Sequence, residues 1–154
     1  MKRPVLLLIA LGLMAGKALA QEREWSLDAS DEEAYLIFGV ADTEDVGVSL
    51  WCPLKKGVVS LFVPQPTEDL QKLKRKTLPV TIKAGPETAT FAGKVDINRD
   101  NAISSVEIQV PVSHPLLKAM QSSDRFDVKV DQADVVFPLY DADVAGLLDL
   151  CREK

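Results

Sequence analysis

The chain has 154 residues, with 18 basic side chains, 23 acidic ones and a single histidine, and 47% of its residues are hydrophobic. The acidic balance argues against a nucleic-acid partner and against simple adsorption to anionic lipid. A metal hydrolase or a Ser-His-Asp triad would have to be built around His114 alone.

The first twenty residues read as an export signal. Lys2 and Arg3 form a charged start, Val5 to Ala15 an apolar run, and Ala18-Leu19-Ala20 a small-residue cleavage site before Gln21. The apolar run is shorter than the roughly 20 residues that a spanning helix needs, and Lys17 interrupts it. Residues 21–154 are therefore expected to form one exported domain, periplasmic or secreted, with no integral membrane segment. This part keeps 15 basic and 23 acidic residues, a net charge of −8. Both cysteines, Cys52 and Cys151, belong to it. In an oxidising compartment two cysteines pair, and a Cys52–Cys151 bridge is expected; the alternative is two buried free thiols. No CxxC motif is present, which speaks against a disulfide-exchange enzyme.

Taken in order, Arg23 to Asp28 reads as a first strand containing Trp25, followed by the turn Ala29-Ser30-Asp31. Ala34 to Val40 is a second strand, apolar throughout. The acidic connection Ala41 to Asp45 leads into the most strongly patterned stretch, Val46 to Val63. There Val46, Val48, Leu50 and Cys52 alternate with Gly47, Ser49 and Trp51, the period-2 signature of a half-buried strand. After the turn Pro53 to Gly57, Val59, Leu61 and Val63 share one face, so a central β-hairpin is expected, with Cys52 directed into the core.

Pro64-Gln65-Pro66 ends that hairpin. Thr67 to Thr77 reads as a helix capped by Thr67, with Glu68 and Asp69 early and Lys72, Lys74, Arg75 and Lys76 late, an order that suits the helix dipole. That basic cluster is read as a solvated helix end rather than an anion site. Leu78 to Lys83, Thr88 to Val95 and Val106 to Val112 alternate as strands. Pro115 to Gln121 reads as a short helix capped by Ser113, with Leu116, Leu117 and Met120 buried. Phe126 to Val130 and Val135 to Leu139 follow as strands, and Pro138 marks the last as an edge able to accept a partner strand. In a final helix, Ala142 to Glu153 with Asp141 as cap, Val144, Leu147, Leu148 and Cys151 form one apolar stripe. This places Cys151 where it can meet Cys52. Eight or nine short strands with two or three helices predict a mainly β protein: a β-sandwich or a strongly curved antiparallel sheet, its C-terminal helix tied on by the disulfide.

Among chemical motifs, Asp96 to Glu107 is the sharpest. Asp96, Asn98, Asp100 and Glu107 fall at positions 1, 3, 5 and 12 of an EF-hand calcium loop, but position 6 is Asn101 instead of glycine. Its flanks alternate like strands, so a polar hairpin turn is expected in preference to a calcium site. No GxSxG, HExxH or glycine-rich phosphate loop occurs. Two carboxylates would suffice for a glycosidase, yet no acid is singled out by its setting. Trp25, Trp51, Tyr35 and Tyr140 are candidates for a ligand surface. For Trp51 the reading preferred here is a second sheet face covered by a helix.

The mature chain resembles small exported proteins of unknown function from Gram-negative bacteria. The resemblance rests on the early Trp25, the strand ending Phe38-Gly39-Val40, the central strand ending at Cys52, and the helix Leu147-Leu148-Asp149-Leu150-Cys151. The last strand and helix are also loosely similar to periplasmic accessory proteins of type VI secretion. They lack the Phe-x-x-x-Gly entry usual there, since the chain reads Phe137-Pro138-Leu139-Tyr140-Asp141. The second resemblance implies a periplasmic β-sandwich with an interaction role, and carries no catalytic residue with it. The expected function is a non-catalytic, cofactor-free binding protein whose partner is an envelope protein or a cell-wall ligand. The alternatives are a calcium-dependent or carboxylate-based envelope hydrolase, and an inhibitor of a hydrolase acting through Asp42 to Asp45.

Overall fold

The computed structural model describes residues 22–100 and 102–153; the expected export signal over 1–20 lies outside the described residues. Nine strands form one antiparallel sheet: β1 (Glu24–Ala29), β2 (Glu33–Gly39), β3 (Val46–Pro53), β4 (Val58–Pro66), β5 (Thr77–Ala84), β6 (Glu87–Asp96), β7 (Ile103–Pro111), β8 (Arg125–Val130) and β9 (Ala133–Pro138). Their order across the sheet is β1-β2-β3-β4-β7-β6-β5-β8-β9. Three helices interrupt the strands: α1 (Thr67–Leu73), α2 (Pro115–Met120) and α3 (Val144–Cys151).

Alternation along each strand fixes which face is buried. Ala34 and Leu36 on β2, Val48, Leu50 and Cys52 on β3, and Val59, Leu61 and Val63 on β4 all point one way and are buried. Leu78, Val80 and Ile82 on β5, Val106, Ile108 and Val110 on β7, and Phe126, Val128 and Val130 on β8 complete the same core. A nine-stranded sheet with one continuous apolar face must curl to hide it, because twist accumulates from strand to strand. Here the curl brings the two ends of the sheet together. Trp25 of β1 lies 6.4 Å from Phe126 of β8, and Phe38 of β2 lies edge-on to Phe137 of β9 at 6.1 Å. The Trp25 indole N–H donates to the Pro138 carbonyl at 2.6 Å. Of the two architectures expected, the molecule adopts the curved sheet, with its two ends packed as a sandwich would be.

The helices close the ends of the curl. β4 and β7 are sheet neighbours, yet α1, β5 and β6 lie between them in the chain; α1 docks Leu70 at one end. α2 and α3 sit at the other, where Leu116, Leu117, Met120, Leu147 and Leu148 are buried. Cys52 and Cys151 form the expected disulfide, Cα atoms 5.7 Å apart, joining α3 to the end of β3.

All three helix caps differ from expectation. Thr67 does not cap α1: Pro66 holds that position without a side-chain bond, while Thr67 is buried with its hydroxyl 2.8 Å from that of Ser104. The cause is that β4 stays paired through Pro66, so the Thr67 N–H goes to the Ala102 carbonyl, as in a sheet. α1 also stops at Leu73, because Lys74 turns left-handed (φ 51°) and β5 begins at Thr77. Lys74, Arg75 and Lys76 thus lie in a turn, not in the last helical turn. For α2 the cap is His114, whose Nδ1 accepts from the Leu116 N–H at 3.1 Å, and not Ser113. For α3 it is Asp143, accepting from the Gly146 N–H at 2.8 Å, and not Asp141. In both cases the cap is the residue immediately before the first helical one.

Candidate interaction surface

The sheet has a second face, and it is built by register. The outward residues of five adjacent strands line up as Asp28, Tyr35, Trp51, Ser60 and Gln109. The neighbouring row runs Ser26, Ile37, Ser49, Phe62, Glu107 and Lys94. These rows gather three rings on β2, β3 and β4. Tyr35 and Trp51 lie 6.3 Å apart, and Trp51 and Phe62 6.5 Å apart. Cross-strand aromatic pairs of this kind hold one another in place. Trp51 is further fixed by its indole N–H, which donates to a Glu33 carboxylate oxygen at 3.1 Å. Ser60, in register with Trp51 and two residues from Phe62, points outward yet is 1% exposed, so the rings seal the sheet beneath them. Partial burial and the neighbouring Glu33 carboxylate together hold the Tyr35 hydroxyl above its ordinary pKa.

Among the described residues, the expectation of a helix over Trp51 is not met. Its ring contacts are Tyr35 and Phe62, both strand residues, and α3 packs against the other face of the sheet through Cys52. Of the four aromatic candidates, the structure unites Trp51 and Tyr35. It separates off Trp25, which packs inward against Phe38 and Phe126, and Tyr140, which is 77% exposed beyond β9. Phe62 and Ile37 were missed. Phe62 was legible from its alternation with Leu61 and Val63, whereas Ile37 sits in a run too apolar for alternation to assign a face.

Beside the rings, the outer side of β1 and β2 forms a hollow of about 380 Å³ walled by Glu24, Asp28, Ile37 and Asp42. A second groove, of about 400 Å³, lies by the β9 edge, where Ile103 and Val135 are exposed.

The remaining sequence candidates are dispersed. Asp96 ends β6, Asn98 spends its side-chain oxygen on the Asp100 N–H at 3.1 Å, and Glu107 lies within β7 in register with Lys94. The segment connects two paired strands, with Asp96 in register with Ser105 and Glu107 with Lys94. Among the described residues no three His, Cys, Asp or Glu side chains are grouped to hold a metal ion. His114 serves α2 as its cap, its ring 5.4 Å from Phe91. In the Asp42 to Asp45 loop, Asp45 is ion-paired with Arg23. No helix among the described residues is long and apolar enough to cross a membrane.

The fold and this surface define a class: a curled nine-stranded antiparallel sheet, stapled to its last helix by a disulfide, that turns an aromatic face outward. Comparison of the chain with known protein families, with curated proteins and with solved structures finds no match.

Proposed function

We propose that this chain is a non-catalytic binding protein of the bacterial cell envelope, exported to the periplasm, which engages another envelope protein through the outer face of β2, β3 and β4. The observation that carries this reading is the set Tyr35, Trp51 and Phe62, held on the side of the sheet away from its core. Aromatic rings of fixed orientation supply large contact area at small entropic cost, which is why such residues anchor interfaces. The Cys52–Cys151 disulfide supports an oxidising destination, and the charged, apolar and small-residue order of residues 1–20 supports export.

The test is photocrosslinking in cells that make the protein, with the photoreactive amino acid placed in turn at Ser49, Gln109 and Lys118. Ser49 and Gln109 flank the rings, and Lys118 lies on α2. One envelope protein crosslinked from positions 49 and 109 and not from 118 is the expected result. Crosslinks to cell-wall material at the same positions would assign the surface to a glycan or peptide ligand instead. No enrichment at 49 and 109 over 118 would overturn the reading.

A further inference from the structure

The charge of the molecule is unevenly placed. Residues 22–45 hold nine acidic residues and one basic residue, Arg23, whereas residues 46–154 hold fourteen of each. The whole net charge of residues 22–154 therefore belongs to β1, β2 and the loop that follows them. Arg23 does not offset it at the surface, because it is committed to Asp45. These acids border the aromatic face. Asp28 stands in register with Tyr35, Glu33 holds the Trp51 indole, and Glu24, Asp28 and Asp42 wall the adjoining hollow, which no lysine or arginine among the described residues lines. On the far side of the rings, Glu107 faces Lys94 across the strands, so the uncompensated charge lies on one flank only.

We propose that this surface receives a basic, extended segment of the partner protein, its arginine or lysine side chains lying over Trp51 and Tyr35 and reaching the carboxylates of Glu33, Asp28 and Glu24. The inference rests on the proposed binding role and names the chemistry of the partner. Three physical terms favour this occupant. A guanidinium or ammonium over an indole or phenol face gains cation–π energy, most with tryptophan. The Glu33 carboxylate, which already neighbours the Trp51 indole and the Tyr35 hydroxyl, sets an anion beside both rings for a cation to pair with. The one-sided negative field steers a positive chain onto this face and away from the charge-balanced remainder. An acidic or neutral apolar segment would gain none of these.

The test uses the exported, disulfide-intact protein and a synthetic nonapeptide alternating arginine and threonine, with the same peptide carrying glutamate for arginine as control. Titration is followed by calorimetry and by amide chemical shifts. Saturable binding is expected, with shifts confined to β1, β2, β3 and the 40–45 loop, and with affinity falling several-fold between low and physiological salt. The pair D28N and E33Q, both at the sheet surface, is expected to weaken binding roughly tenfold, and W51L roughly three- to tenfold. D134N, on β9, is expected to leave binding unchanged. Equal binding of the glutamate peptide, shifts centred elsewhere, or an unaltered D28N/E33Q variant would overturn the proposal. So would spermine or calcium producing the same shifts at equal or lower concentration, since the site would then belong to a free cation. Crosslinking at positions 49 and 109 without arginine-peptide binding would sink the basic-segment inference and leave the binding role standing; loss of both would sink both.

Discussion

At the scale of single residues, the core tolerates little change in volume. Gly93 lies on the inward face of β6, and a Cβ placed there would come within 2.5 Å of the Val106 and 2.6 Å of the Val80 side chains. Both valines are buried, on the strands β5 and β7 that pair with β6 on either side. Overpacking of this kind costs about 1–3 kcal/mol, so G93A should lower the urea midpoint by that stability with an unchanged m-value; an unchanged midpoint would show that the strands can part. On the outer face, Tyr35 offers a different probe. Partial burial and then the Glu33 carboxylate disfavour its ionised form, which places its folded pKa above the ordinary 10.0. The sign follows: the contribution is fully present below the ordinary tyrosine value and is lost as pH rises through the folded one. An absorbance titration of tyrosinate, compared between the native protein and Y35F, should assign to Tyr35 a step above the free-tyrosine range. A step at or below that range would mean that the ring is more open to water than the structure has it.

At the scale of elements, the strands were legible because alternation is a strong signal wherever one face is buried. Val48 to Cys52 and Leu78 to Ile82 show this, both with their inward sets as expected, whereas the register shift at Phe38 and Gly39 takes Val46 out of phase, half-buried and lining the outer hollow. The caps were less so, since cap position depends on where the preceding chain lets go, a tertiary matter. Both Asp141 and Asp143 precede the apolar stripe of α3, and spacing alone does not choose between them. The turn Ala142 N–H to Leu139 carbonyl delays the helix by two residues, and Asp143 becomes the cap. D143A should therefore destabilise the protein by about 1 kcal/mol, whereas D141A should stay within about 0.5 kcal/mol of the parent. Thermal melts of the two variants decide it, and a larger loss for D141A would reverse the assignment. The candidate surface was half legible for the same reason. Alternation alone puts Trp51 opposite the Cys52 face. That Tyr35 stands beside it follows only from the β2–β3 register, and that α3 does not lie over it follows only from where that helix goes.

At the scale of the whole molecule, the question is what keeps a curled sheet closed. Its two ends meet through aromatic contacts and the Trp25–Pro138 hydrogen bond, contacts between chain segments more than a hundred residues apart (separation 113). The disulfide acts on the same problem from the other side, closing a loop of 99 residues between the end of β3 and the final helix. In the chain-entropy model that closure is worth about 4–5 kcal/mol, and measured losses on removing such bridges run from about 2 to 5 kcal/mol. The bridge does not dock α3 by itself. The Lys55 N–H donates to the Leu150 carbonyl at 3.1 Å and the Gly57 N–H to the Cys151 carbonyl at 2.8 Å, so the β3–β4 turn takes up the free carbonyls at the helix C-terminus. Val144, Leu147 and Leu148 are also buried against the core and dock the helix beside the bridge. The double variant C52A/C151A should therefore remain folded, with a native far-ultraviolet spectrum, and should lose about 2–5 kcal/mol in urea at an unchanged m-value. Because the bridge works mainly by restricting the unfolded chain, the loss should appear without a change in the aromatic near-ultraviolet signal of Trp25 and Trp51. If that signal collapses while the strands persist, the disulfide is instead what holds the two ends of the sheet in register, and the backbone bonds at Lys55 and Gly57 are too weak to do so alone.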